Sequence, residues 1–135
     1  MVILFDQFNL PENVYEVVFA TEQQAVVGKL LIDELKAHGN EMGKTEMSLF
    51  ANNLHDGTVI EMPEIGPLGR VGKKKVKISY NKRQFYDRIL TPMKAMGLID
   101  YDLYQKRYRI SNKFNTALTK VGIMWSQEVQ KRPRA

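Results

Sequence analysis

The residues of this chain whose types and spacing could do chemistry are its cations. Arg70, Lys73, Lys74, Lys75 and Lys77 form a dense run, Lys82, Arg83, Arg88 and Lys94 follow it, and Lys106, Arg107 and Arg109 form a third group. Fixed positive charge at this density attracts polyanions. The amides of Asn81 and Gln84, set among those cations, can hydrogen-bond the edges of bases. Catalytic alternatives are thin. The chain has no cysteine, which removes disulfides, thiol chemistry and the usual ligands of structural zinc. His38 reads as a helix-end residue, and His55, the other histidine, stands far in sequence from the basic groups of residues 70–109. A metal-dependent nuclease would need clustered carboxylates, but Glu61, Glu64, Asp100 and Asp102 fall in separate loops and strands. Gly39 to Thr45 has three residues between its glycines where a phosphate-binding loop needs four, and it follows a helix rather than a strand. A helix cap at Thr45 accounts for it. No catalytic residue, metal site or cofactor is expected.

The formal charge of +5 understates how unevenly charge is spread. Residues 1–69 hold three basic residues against eleven acidic ones, a net of −8, while residues 70–135 hold seventeen against four, a net of +13. A concentrated positive field of this kind speeds encounter with nucleic acid. At 135 residues the chain fits one domain with a sizeable core. The early apolar run from Val2 to Phe5 is too short for a signal peptide or membrane span, so a cytoplasmic address is expected, at the nucleoid if the source is prokaryotic.

The elements that must position those cations follow from spacing. Residues 2–19 admit two readings, a short helix after Pro11 or a strand through Val14, Glu16 and Val18. Thr21 and Gln24 form a capping box, and Val27, Leu31 and Leu35 at four-residue spacing predict a helix closed by Gly39. A second helix is predicted from Thr45 to Leu54, with Met47, Phe50, Ala51 and Leu54 inward. Residues 55–78 read as a loop or hairpin returning along Val76 to Ser79. A third helix starts near Ser79 or Asn81, turns Phe85, Ile89, Met93 and Met96 inward, and ends at Gly97. Pro92 should kink it or shift its end. Two strands, Leu98 to Leu103 and Arg107 to Ser111, surround a turn at Tyr104–Lys106. A last helix, about Lys113 to Gln130, carries Phe114, Leu118, Val121, Trp125 and Val129 inward, and residues 131–135 form a basic tail.

Phe85-Tyr-Asp-Arg-Ile-Leu-Thr-Pro-Met-Lys-Ala-Met-Gly-Leu-Ile-Asp-Tyr-Asp, followed by Arg107-Tyr-Arg-Ile-Ser, resembles the recognition helix and wing of the winged helix-turn-helix family. The strong likeness covers about residues 79–121; residues 21–54 match in pattern, and 1–20 and 55–75 do not match. Two departures stand out: more than twenty residues separate the second and third helices, and Pro92 falls inside the recognition helix. The resemblance implies an α+β winged helix-turn-helix domain over residues 1–135. It would be mostly helical, with a small antiparallel wing, an N-terminal extension (1–20) and an inserted basic hairpin (55–78).

On that reading helix 81–96 enters the major groove. Arg83 and Gln84 read bases, Asn81 and Asp87 join them at the groove, and Lys82, Arg88, Lys94 and the helix N-terminus hold phosphates. Lys106, Arg107 and Arg109 of the wing (98–111) meet the backbone or minor groove, and Lys73, Lys74 and Lys75 form a second arm on phosphates. The expected function is sequence-specific or semi-specific binding of double-stranded DNA, in a transcriptional regulator that is not an enzyme. A different class is an interaction module, or a component of a replication or transcription complex without sequence readout. A homodimer could form through the C-terminal helix or the N-terminal segment, which would let a two-fold pair read two half-sites. The aromatic residues show no single-strand stacking pattern of the kind RNA-binding modules use.

Overall fold

The computed structural model describes residues 6–65, 69 and 71–133. Arg70, the 2–5 apolar run and the end of the basic tail therefore lie outside the described residues. The chain is α+β and mostly helical. In order it forms α1 (Val14–Val18), α2 (Glu22–Ala37), β1 (Glu41–Gly43), α3 (Lys44–Asp56), β2 (Thr58–Ile65) and β3 (Val71–Ile78). Then come α4 (Lys82–Phe85), a π-turn (Tyr86–Leu90), α5 (Thr91–Met96), β4 (Ile99–Asp102), β5 (Arg107–Ile110) and α6 (Lys113–Gln130).

Local rules account for the helix ends. Asn13 caps α1 by accepting from the Glu16 amide at 3.1 Å, which settles the two readings of the opening in favour of helix. The Thr21 hydroxyl accepts from the Gln24 amide at 3.2 Å, as the capping box predicts. Gly39 and Asn40 both adopt positive φ past the end of α2, and the Asn40 amide reaches back to the Leu35 carbonyl at 2.8 Å. The cap expected at Thr45 is instead Gly43: α3 begins one residue earlier, and Glu46 reaches back to accept from the Gly43 amide.

Three strands form one antiparallel sheet in the order β1-β5-β4. Met42 sits opposite Tyr108, which sits opposite Tyr101. β2 and β3 form a separate hairpin inserted between α3 and α4, paired from Thr58–Ile78 to Ile65–Val71. Its return strand is thus longer than the Val76–Ser79 expected. The Tyr80 amide donates to the Leu54 carbonyl (2.9 Å) and the Ser79 hydroxyl to the His55 carbonyl (3.1 Å), so the hairpin base is tied to the end of α3.

One contiguous core runs from Val18 to Phe114. Val27, Leu31 and Leu35 of α2, Met47, Ala51 and Leu54 of α3, Phe85, Ile89, Leu90 and Met93 of the 82–96 segment, and Met42, Ile99 and Tyr108 of the sheet all belong to it. Each such side chain withdrawn from water contributes about 1.5–3 kcal/mol. The Pro92 problem is solved by the π-turn. The Thr91 amide bonds to the Tyr86 carbonyl five residues back, so the ladder steps over the position where proline lacks a donor. The extra residue in that turn brings Leu90 inward beside Ile89 (2% and 0% exposed), a burial that a uniform 100° per residue does not give.

The last helix departs from expectation. Its bounds are those predicted, but only Phe114 is buried, and Leu118, Val121, Trp125 and Val129 face solvent. Trp125, read as a core residue, is 68% exposed. Beyond Phe114 the stripe lies exposed among the described residues.

Candidate nucleic-acid interface

Phe85, Ile89, Leu90 and Met93 clamp one side of the 82–96 segment into the core, which fixes what the other side can show. Arg83, Gln84, Asp87, Arg88, Thr91 and Lys94 are exposed, and Lys82 is half-exposed. Arg83 and Asp87 lie one turn apart with Nε and Oδ2 separated by 3.9 Å and side chains 91% and 67% exposed. Such a surface pair is worth only about 0.3–0.5 kcal/mol, so Arg83 is free to turn to a better partner.

The start of the segment is organised differently from the sequence expectation. Asn81, placed among the groove-facing residues, is the N-cap: its Oδ1 accepts from the amides of Arg83 (3.0 Å) and Gln84 (3.2 Å). The Lys82 amide donates to Nδ1 of His55 at 3.2 Å. The next amide, of Phe85, already bonds to the Asn81 carbonyl. All the leading amides are therefore used internally, and the helix N-terminus offers no free donors for a phosphate. Only side chains at this end could meet a phosphate. His55, given no role by its position in the sequence, acts as a cap across 27 residues of chain.

The wing also revises the expectation. Arg107 Nε lies 3.0 Å from Glu41 Oε1, and Arg109 Nε lies 3.1 Å from Glu41 Oε2. The Arg109 contact is an aligned hydrogen bond. The Arg107 Nε, buried without a hydrogen-bond partner, is off the line to Glu41 and meets it as a charge contact. Arg109 also reaches Asp102 Oδ2 at 3.4 Å and bonds to the Gln105 side chain. Both arginines are thus committed to the sheet, held by Glu41 because β1 pairs directly with β5. Asp102 also accepts from the Gln105 and Tyr104 amides, and these two bonds, with Arg109, hold its carboxyl below the usual carboxylate range. What the wing presents outward is its tip: Leu103 and Tyr104, 77% and 99% exposed, and Lys106, also exposed, at a positive φ.

Lys94 belongs to the joint between helix and wing. Its Nζ stands 5.8 Å from the ring centres of both Tyr101 and Tyr108, themselves 4.6 Å apart. Lys44, at the start of α3, also stands 5.6 Å from the Tyr101 ring centre, and its place in the sequence gives no sign of this. Burial, with the Tyr86 and Tyr101 phenols nearby, raises the Tyr108 phenol above its ordinary value. This aromatic joint holds wing and helix as one surface.

On the inserted hairpin, strand alternation puts Lys73, Lys75 and Lys77 on one face and Lys74 on the other. Lys75 sits opposite Glu61 in register, and Lys73 Nζ approaches Glu61 Oε2 at 3.7 Å. All four lysines are exposed. Among the described residues no group of three histidines or carboxylates is placed to hold a metal ion, and no helix is long and apolar enough to cross a membrane.

Glu41 gives a direct prediction. On the DNA-binding reading proposed below, Glu41→Gln is expected to release Arg107 and Arg109, raising duplex affinity severalfold and steepening its salt dependence by about one contact. The cost in stability is about 1 kcal/mol. Titration at two salt concentrations measures the first effect and urea unfolding the second; unchanged affinity would mean that the wing arginines never reach DNA.

Comparison with family models, with curated proteins and with solved structures gives no match to this chain.

Proposed function

We propose that this chain is a winged-helix protein that binds double-stranded DNA as a transcriptional regulator. The 82–96 segment enters the major groove, and the wing tip lies on the backbone or minor groove. The element order supports the fold: α2, β1, α3, the 82–96 segment, β4 and β5 follow the helix, strand, helix, helix and two-strand wing of that family, with β1 completing the wing sheet. One observation carries the function. A helix clamped by four buried residues turns Arg83, Gln84 and Arg88 outward, and the lysine hairpin issues from the connection that leads into its N-terminus.

In this reading Arg83 and Gln84 contact base edges, with Asp87 one turn on steering Arg83. Lys82 and Arg88 hold phosphates, and Lys106 and the hairpin lysines Lys73, Lys74, Lys75 and Lys77 extend the footprint. Asn81 and Lys94 act indirectly, as cap and as joint. DNA is the partner at the basic face.

The test compares two double variants on a labelled duplex. Arg83→Ala with Arg88→Ala should weaken binding by about 1–3 kcal/mol per lost contact and relax any sequence preference through Arg83. Lys29→Ala with Lys36→Ala removes the same charge from α2 and should leave affinity nearly unchanged. Equal losses in both would reduce the effect to net charge and end the assignment of this helix as the reading element.

A further inference from the structure

We propose that the joint between the 82–96 segment and the wing is a phosphate-binding site that fits a phosphate monoester. The Lys44 and Lys94 ammonium groups and the Tyr101 and Tyr108 hydroxyls are its donors. Such a site does not depend on duplex recognition.

Two cations converge there from different elements. Lys44 Nζ, at the start of α3, lies 5.6 Å from the ring centre of Tyr101, and Lys94 Nζ, on α5, lies 5.8 Å from it. Like charges gathered on one ring repel, and the aromatic face offsets only about 0.5–1 kcal/mol at an exposed site. The carboxylates of the surrounding elements are engaged elsewhere. Glu41 of β1 is taken by Arg107 and Arg109, at 3.0 and 3.1 Å. On β4, Asp102 serves Arg109 and two amides, and Asp100 serves Lys113 at 2.9 Å. Glu46 of α3 turns back to the Gly43 amide, and Asp87 faces Arg83. The joint thus keeps positive charge that its own carboxylates do not neutralise. Gly43 adds to it: unlike Asn81 it brings no side-chain oxygen to the helix it caps, so the positive end of α3 lies beside Lys44.

The tyrosines are an independent observation. Tyr108 is 9% exposed, its ring centre 4.6 Å from that of Tyr101, and Lys94 Nζ stands 5.8 Å from both, so cation and phenols form one cluster. The Tyr108 hydroxyl has no hydrogen-bond partner among the described residues, and its oxygen stays open to the surface while the ring is covered. A hydroxyl on a fixed ring is an aimed donor, met by water until an acceptor displaces it. The donor set selects the anion. Two ammoniums with phenol donors call for several acceptor oxygens and more than one negative charge. A phosphate monoester carries three free oxygens and up to two charges. A carboxylate, and equally a diester of the DNA backbone, has two free oxygens and one charge, and leaves donors unmatched. The ligand class is therefore a small molecule bearing a terminal phosphate.

The experiment titrates the isotope-labelled full chain with inorganic phosphate, above its second ionisation, at a constant ionic strength of about 0.15 M made up with chloride. NMR follows the Hε–Cε signals of the lysines and the ring signals of Tyr108. Lys44, Lys94 and Tyr108 should shift saturably with phosphate and not with chloride. Lys44→Gln, Lys94→Gln and Tyr108→Phe should each weaken phosphate about tenfold, the usual worth of a hydrogen bond to a charged group, while Lys29→Gln on α2 changes nothing. Tyr108→Phe keeps the ring in the core, so an unchanged urea midpoint separates loss of the hydroxyl from loss of the fold. Dimethyl phosphate, a stand-in for the backbone diester, should bind about tenfold more weakly than phosphate or worse. Equal binding of the two would overturn the choice of a monoester and give the site to the duplex backbone. Shifts that chloride reproduces, or phosphate binding indifferent to Lys44→Gln and Lys94→Gln, would overturn the site itself.

Discussion

Phe85→Ala is expected to remove about 3–5 kcal/mol of folding stability, the usual cost of emptying a fully buried aromatic site. Phe85 is 0% exposed and closes α4, the first turn of the 82–96 segment. Its ring meets Phe50 of α3 edge-on at 5.5 Å and Tyr86 at 5.4 Å. Edge-to-face packing of this kind adds to the area term, and alanine forfeits both contacts together. A domain of this size has about 5–15 kcal/mol in total, so the variant should be partly unfolded on modest warming. Urea unfolding followed by circular dichroism measures the change. A loss below about 1 kcal/mol would mean that the site collapses without a cavity and that Phe85 does not clamp the helix.

Gly97→Ala should be nearly as damaging by a different route. Gly97 ends α5 at φ 86°, in the left-handed region, where alanine costs about 1–2 kcal/mol. A Cβ there would also stand 2.7 Å from the Phe114 amide nitrogen and 2.9 Å from the Lys113 carbonyl carbon, both backbone atoms that cannot swing aside. The Phe114 amide donates to the Gly97 carbonyl at 3.1 Å and the Leu98 amide to the Met93 carbonyl at 2.9 Å. One residue thus joins the end of the helix, the start of the wing and the start of α6. We expect a total loss of roughly 3 kcal/mol or more, with the wing displaced from the helix. Thermal unfolding tests the loss; a midpoint within a few degrees of the parent would show that the backbone at Phe114 yields freely.

Much of this was legible locally. Thr21, Gly39 and Gly97 announce the ends of helices by chemistry confined to a few residues, and the strands of 98–111 alternate as strands should, whereas the cap at Asn81 shows only in its bonds to the Arg83 and Gln84 amides. What was not legible depends on distant chain. β1 is three residues with one buried side chain, Met42, and exists because β5 arrives beside it. The capture of Arg107 and Arg109 by Glu41 follows from that pairing and spans up to 68 residues, so both looked like free cations in the sequence. The cap from His55 to Lys82 depends on the hairpin folding back on its base. Leu90 was missed because a uniform helical period cannot foresee a π-turn, although Pro92 signalled that the ladder had to break nearby. For α6 the spacing marks an apolar stripe and suggests an inward face, which the exposed Leu118, Val121, Trp125 and Val129 contradict, because a stripe does not say what it faces.

On the proposed reading the basic face binds duplex DNA through phosphates as well as bases. Its most direct test is the anisotropy of a labelled mixed-sequence duplex titrated with the full chain across several salt concentrations. Binding is expected whose logarithmic affinity falls with logarithmic salt by about 0.9 for each phosphate contact, giving a slope of about −4.5 where five of Lys73, Lys74, Lys75, Lys77, Lys82, Arg88 and Lys106 meet phosphates. Absence of binding at low salt, or an affinity indifferent to salt, would contradict it.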